Sequence, residues 1–177
     1  MNRFRSLLLL VLLAAIPTAA DEGMWLLNDF PSAKVQAAYG FGPSQQWLDR
    51  VRLGAIKLGG CSASVVSTQG LVMTNHHCVR ECVQDLSTPK ADYLEKGFFA
   101  RTAKEERRCP HLEASQLVAI TDVSEHIRGA TTGKQGDAFA TALREERARI
   151  EGACTTGPDV RCEVVNLFHG GKYHLYT

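Results

Sequence analysis

Six cysteines, all placed after an export-type leader, constrain this chain more than any other feature. The first residues read MNRFRSLLLLVLLAAIPTAADEG. Arg3 and Arg5 form a basic start, Leu7 to Ile16 is unbroken apolar sequence, and Thr18, Ala19 and Ala20 are small. That is the pattern of a secretory signal peptide, residues 1–20, cleaved after Ala20. Its apolar run falls well short of the roughly 20 residues a spanning helix needs. No later segment is apolar enough to span a membrane, so no integral membrane segment is expected after cleavage. Cys61, Cys78, Cys82, Cys109, Cys154 and Cys162 all belong to the expected mature part, residues 21–177. An even cysteine count in an oxidising compartment favours disulfides, with fifteen connectivities open for six cysteines.

Charge narrows the function classes. The formal net charge is +1 with both signs interspersed, and 45% of residues are hydrophobic. No basic stripe offers a nucleic-acid groove, and the composition is not that of a disordered chain. The length suits one domain or part of a larger one. No cofactor is expected.

Hydrophobic period divides the chain into segments. Trp47, Leu48, Val51 and Ala55 recur at helical spacing after Pro43-Ser44, which predicts a helix from about Pro43 to Leu53. Small and β-branched residues at Ser62–Ser67 and Leu71–Thr74 flank Thr68-Gln69-Gly70. They predict a hairpin whose second strand runs into His76 and His77. Val79 to Asp85 suits a short helical turn, and Ala91 to Ala100 mixes helix and loop signals. Gln116 to Val123 predicts a strand, and Asp137 to Glu151 a helix with a solvated Arg/Glu face. The last segment, RCEVVNLFHGGKYHLYT, predicts two strands joined around Gly170-Gly171. The chain stops inside the second of them, which raises the expectation of a longer protein.

Chemistry concentrates in GLVMTNHHCVREC, Gly70 to Cys82. Three readings compete there. Zinc is one, with His76, His77, Cys78 and Cys82 as donors. Adjacent histidines on a strand point to opposite faces, however, and structural zinc sites use separated donor pairs. General-base catalysis is another, since a histidine activating a serine must be held in one orientation. The third is a structural pair hydrogen-bonded at a strand end.

GGCSASVVSTQGLVMTNHHC resembles the strand–hairpin–His-Cys arrangement of trypsin- and chymotrypsin-like serine peptidases. It is closer still to the exported bacterial serine dipeptidyl-peptidases, the group of dipeptidyl-peptidases 7 and 11 and dipeptidyl aminopeptidase relatives. EGMWLL at Glu22–Leu27, GGC at Gly59–Cys61, GLVMTNHHC at Gly70–Cys78 and DYLEKGFFA at Asp92–Ala100 follow that family's order. The resemblance implies a mainly β fold with helices, part of a chymotrypsin-like double β-barrel. That barrel would be incomplete in this chain, and the family's inserted helical domain would be missing.

It also implies a serine peptidase that releases dipeptides from free peptide N-termini, in the periplasm or at the cell surface of a Gram-negative bacterium. Peptides with a free N-terminus would be its partners, with a homodimer of the full-length protein an option. By position His77 is the general base, with no chemical role for His76. The broader chymotrypsin-like pattern implies a Cys61–Cys78 bridge. Cys82 is then expected to pair with Cys109, and Cys154 with Cys162. The catalytic serine and aspartate are expected beyond Thr177. Ser87, Ser115 and Ser124 lack a nucleophile setting, and Asp122 and Asp137 read as ordinary strand-end and helix-start residues. A second reading, from another class, is a non-catalytic, disulfide-framed exported binding module or a decayed peptidase half.

Overall fold

A computed structural model describes residues 23–177. The expected signal peptide lies outside the described residues. Two antiparallel sheets and six helices make up the architecture of those residues. The first helices are α1 (Ser32–Tyr39) and α2 (Gln45–Gly54). The Ser44 side chain caps α2 by accepting from the Trp47 N–H at 3.2 Å, which satisfies a donor that the helix start leaves orphaned. Leu48 anchors α2 at 2% exposure, while Trp47 and Val51 stay exposed. Ala55, expected on this helix, is instead the first residue of strand β1 (Ala55–Leu58), because the backbone turns extended there (φ −83°, ψ 132°).

Strand β1 pairs with β2 (Cys61–Val65) around Gly59-Gly60, and β2 pairs with β3 (Val72–Thr74). The β2–β3 connection is the predicted hairpin. Ser67 Oγ accepts from the Gln69 and Leu71 N–H groups, and Gly70 takes a left-handed φ of 81°. That conformation strains any residue with a Cβ. Strand β4 (Ala114–Gln116) completes the sheet on the other side of β1, giving the order β3-β2-β1-β4. Ile56, Leu58 and Ala63 form its buried face, with Val65, Val72, Val79 and Leu112 packed against them.

The strand expected over 116–123 is two strands. Strand β5 (Ile120–Asp122) belongs to a second sheet, ordered β5-β7-β6 with β6 (Glu163–Leu167) and β7 (Lys172–Tyr176). The break has a cause in backbone pairing. Arg52 donates to the Leu117 carbonyl at 2.6 Å, and Val118 and Ala119 exchange bonds with Thr177. The chain therefore leaves one ladder and enters the other. Strands β6 and β7 form the predicted terminal hairpin through a short turn at Phe168–Gly170.

After α3 (His76–Leu86) and the short α4 (Tyr93–Lys96), helices α5 (Ser124–Thr131) and α6 (Gly136–Cys154) cover one face of the second sheet. Val123, Ile127, Ile150, Val164 and Tyr173 make that core, with Leu143 and Leu175 at its margin. The charged run on α6 is not wholly a solvated face. Arg147 and Glu151 reach the backbone of Val164.

Candidate active site

Strand β3 does not run into the histidines. After extended Asn75 (φ −82°, ψ 147°) the chain enters helix α3 (His76–Leu86). The expected short turn at Val79–Asp85 is part of this longer helix. Its amphipathic spacing explains the difference, since Val79 packs on the first sheet's core and Cys82 is buried. The opposite-face argument for adjacent strand residues therefore does not apply to His76 and His77.

Three disulfides organise the chain: Cys61–Cys78, Cys82–Cys109 and Cys154–Cys162. The first joins the start of β2 to the first turn of α3, with the Cα atoms 5.9 Å apart. The second holds α3 to the loop before β4. A ring nitrogen of His77 lies within 4.8 Å of both sulfurs of the Cys61–Cys78 bridge. Thr74 Oγ1 donates to the Ser62 carbonyl at 2.9 Å, which closes the strand pair beside the bridge. The result is an exposed imidazole on a backbone fixed covalently at the next residue.

The four-donor zinc set does not assemble. Cys78 is bonded to Cys61 and Cys82 to Cys109, so neither sulfur is a free thiolate. Among the described residues, the groups around His77 offer no carboxylate at hydrogen-bond distance from its ring.

Most of the other candidates have structural work. Ser87 Oγ donates to the Val83 carbonyl at 2.8 Å and accepts from the Tyr93 N–H. Ser124 Oγ accepts from the Tyr173 N–H at 2.9 Å. Ser115 is exposed on β4. Asp137 sits in the first turn of α6, where an acidic side chain complements the helix dipole. Asp122 accepts from the Ser124 N–H at 2.8 Å at the start of α5. Hydrogen bonds from Ser124, and then the nearby His174 and Lys172, hold its carboxyl below the usual carboxylate range.

His174 is the polar residue that sequence reasoning missed. It is 3% exposed on β7, across the sheet from Asp122, with Nε2 4.0 Å from Oδ2. Its Nδ1 has no hydrogen-bond partner among the described residues. The alternation of KYHLY gave no signal of which polar side chain would be buried. An open cleft of about 700 Å³ runs between the two sheets, lined among others by Arg52, Lys57, Ser62, Glu163 and Tyr176. Cys61 contributes to its wall, so the bridge beside His77 borders the cleft.

Likeness to known proteins assigns this frame to the peptidases. Residues 20–177 match the family described as Peptidase S46, and the chain belongs to that family. Its relatives there are dipeptidyl-peptidases. It is 34% identical to dipeptidyl-peptidase 7 of Porphyromonas endodontalis, over 97% of this chain and 22% of the relative. It is 36% identical to dipeptidyl-peptidase 7 of Phocaeicola vulgatus, over 99% of this chain and 26% of that one. The fold matches the crystal structure of Porphyromonas endodontalis DPP11 in complex with substrate at a TM-score of 0.67 and 26% identity. That match covers 88% of this chain and 25% of DPP11. The chain thus spans about a quarter of the length of these relatives. Among the described residues no helix is long and apolar enough to cross a membrane.

Proposed function

We propose that this chain supplies the catalytic histidine of a serine dipeptidyl-peptidase, with the serine and the orienting carboxylate contributed from outside residues 1–177. His77 is the general base. It takes the serine hydroxyl proton as the oxygen attacks the second peptide carbonyl, then delivers that proton to the leaving amine. Water then releases the dipeptide from the acyl-enzyme by the reverse proton path. The substrates are peptides with a free N-terminus. Residues 1–20 direct export to the periplasm or cell surface of a Gram-negative bacterium, and the complete enzyme is compatible with a homodimer.

The observation that carries this reading is the exposed His77 ring against the Cys61–Cys78 bridge, in a chain of the S46 family. A base needs one orientation and an open approach, and a covalent tie at the adjacent residue supplies the first without burying the ring. His76, its neighbour, has no such relation to the bridge.

The test is His77→Ala in the complete enzyme, assayed on dipeptide-releasing substrates. A fall in kcat of about a thousandfold or more is expected, since loss of one triad member leaves only oxyanion and binding contributions. His76→Ala should stay within a few-fold of wild type. Near-full activity in His77→Ala would remove the assignment.

A further inference from the structure

The Cys61–Cys78 bridge and His77 form the one group of three metal-type donors that the described residues bring together. In the oxidised protein both sulfurs are spent on each other. Reduction changes that chemistry without requiring the backbone to travel. We propose that reduction of this bridge creates a zinc site made of the Cys61 and Cys78 thiolates and the His77 imidazole.

Geometry supports the set. Two thiolates on one tetrahedral zinc, each at about 2.3 Å, stand nearly 4 Å apart. Cα atoms 5.9 Å apart reach that separation by side-chain rotation. The His77 ring nitrogen already lies within 4.8 Å of both sulfurs, so the third donor needs only a small swing. Both cysteines are half-buried rather than sealed, so a reductant has access. Three protein donors leave one position for water.

The steps balance. A dithiol reductant gives two electrons and two protons to the bridge, yielding two protein thiols and its own disulfide. Zinc binding then displaces the two thiol protons to solvent. Metal on the imidazole occupies the lone pair a general base must use, so the loaded protein is inhibited. That consequence rests on the reading of His77 as base, whereas zinc binding does not.

The experiment uses the complete enzyme, reduced without denaturant by a trialkylphosphine, which becomes the phosphine oxide by taking oxygen from water. Zinc is titrated against a chromophoric chelator, cobalt is substituted to detect thiolate-to-metal charge transfer, and near-UV circular dichroism checks the fold. Reduced wild type should hold one zinc that the oxidised protein does not. His77→Ala should weaken it by at least about tenfold, since even outer-sphere partners of ligands are worth that much. His76→Ala should leave it unchanged. The proposal is overturned by no added zinc on reduction, by affinity indifferent to His77→Ala, or by collapse of the fold on reduction. If zinc binds through this set and dipeptide release continues undiminished, the site stands and the base assignment falls.

Discussion

Val164 has no solvent exposure, yet it lies on β6, an edge strand of the second sheet. Its N–H and C=O point away from β7 and need partners from elsewhere. Helix α6 provides both. Glu151 Oε1 accepts from the Val164 N–H at 2.7 Å, and Arg147 donates to the Val164 carbonyl at 2.8 Å. The two side chains sit one turn apart, 3.9 Å from each other. Glu151→Ala leaves a buried N–H without an acceptor, which costs about 2 kcal/mol. Glu151→Gln keeps an acceptor oxygen but loses its charge, and should cost about half that, since charged hydrogen bonds are roughly twice as strong as neutral ones. In the complete protein, hydrogen–deuterium exchange of a peptide covering 163–167 reads this locally. At 1.4 kcal/mol per decade, exchange should speed up about 30-fold in Glu151→Ala and about 5-fold in Glu151→Gln. Acceleration below threefold in the alanine variant, or equal effects of both, would refute the clamp.

Other perturbations separate the parts of the frame. In the chain-entropy model, the Cys154–Cys162 bridge, with a separation of 8, contributes about 2.5 kcal/mol. The Cys82–Cys109 bridge, with a separation of 27, contributes about 3.5 kcal/mol. Serine pairs at 82 and 109 should therefore lower the denaturation midpoint more than serine pairs at 154 and 162, and the opposite order would argue against loop closure as the cause. Asp122 makes the start of α5 sensitive to acid. Its carboxyl is held below its ordinary value of 3.8, so its contribution is present above that pH and is lost as pH falls through the folded value. With its side chain 58% exposed the effect is small, but its direction is fixed. Exchange over 124–131, corrected for intrinsic rates, should differ between wild type and Asp122→Asn at pH 5, and the difference should shrink progressively as pH falls below 3.8. A gap that does not narrow at all as pH falls below 3.8 would exclude the mechanism.

Sequence reasoning succeeded where the signal was local. Ser44 before an apolar period marks the start of α2, and Gly70 after Thr68-Gln69 marks the β2–β3 turn. It failed where distant partners decide. Nothing in Gln116–Val123 says that its middle will bond to Arg52 and Thr177, so the strand read as continuous. Strand β1 was hidden because Ala55 also fits the period of the helix before it. Helix α3 was misread at its start even though Asn75 is an N-cap type of residue, and in the structure that side chain makes no cap hydrogen bond. Its first turn is closed by the Cys78 N–H donating to the Asn75 carbonyl and tied by Cys78 to a residue 17 positions upstream. The same fact governs the candidate site. As a dipeptide, His76-His77 carries nothing that separates one ring from the other, and only family likeness singled out His77. In the folded chain the two differ physically, because His77 alone of the pair joins the group around the bridge. If His77 is the base, as proposed, replacing Cys61 and Cys78 together by serine, which removes the tie beside its ring while keeping both histidines, should lower kcat on dipeptide-releasing substrates by less than His77→Ala does, and an unchanged kcat would show that the bridge does not position the ring.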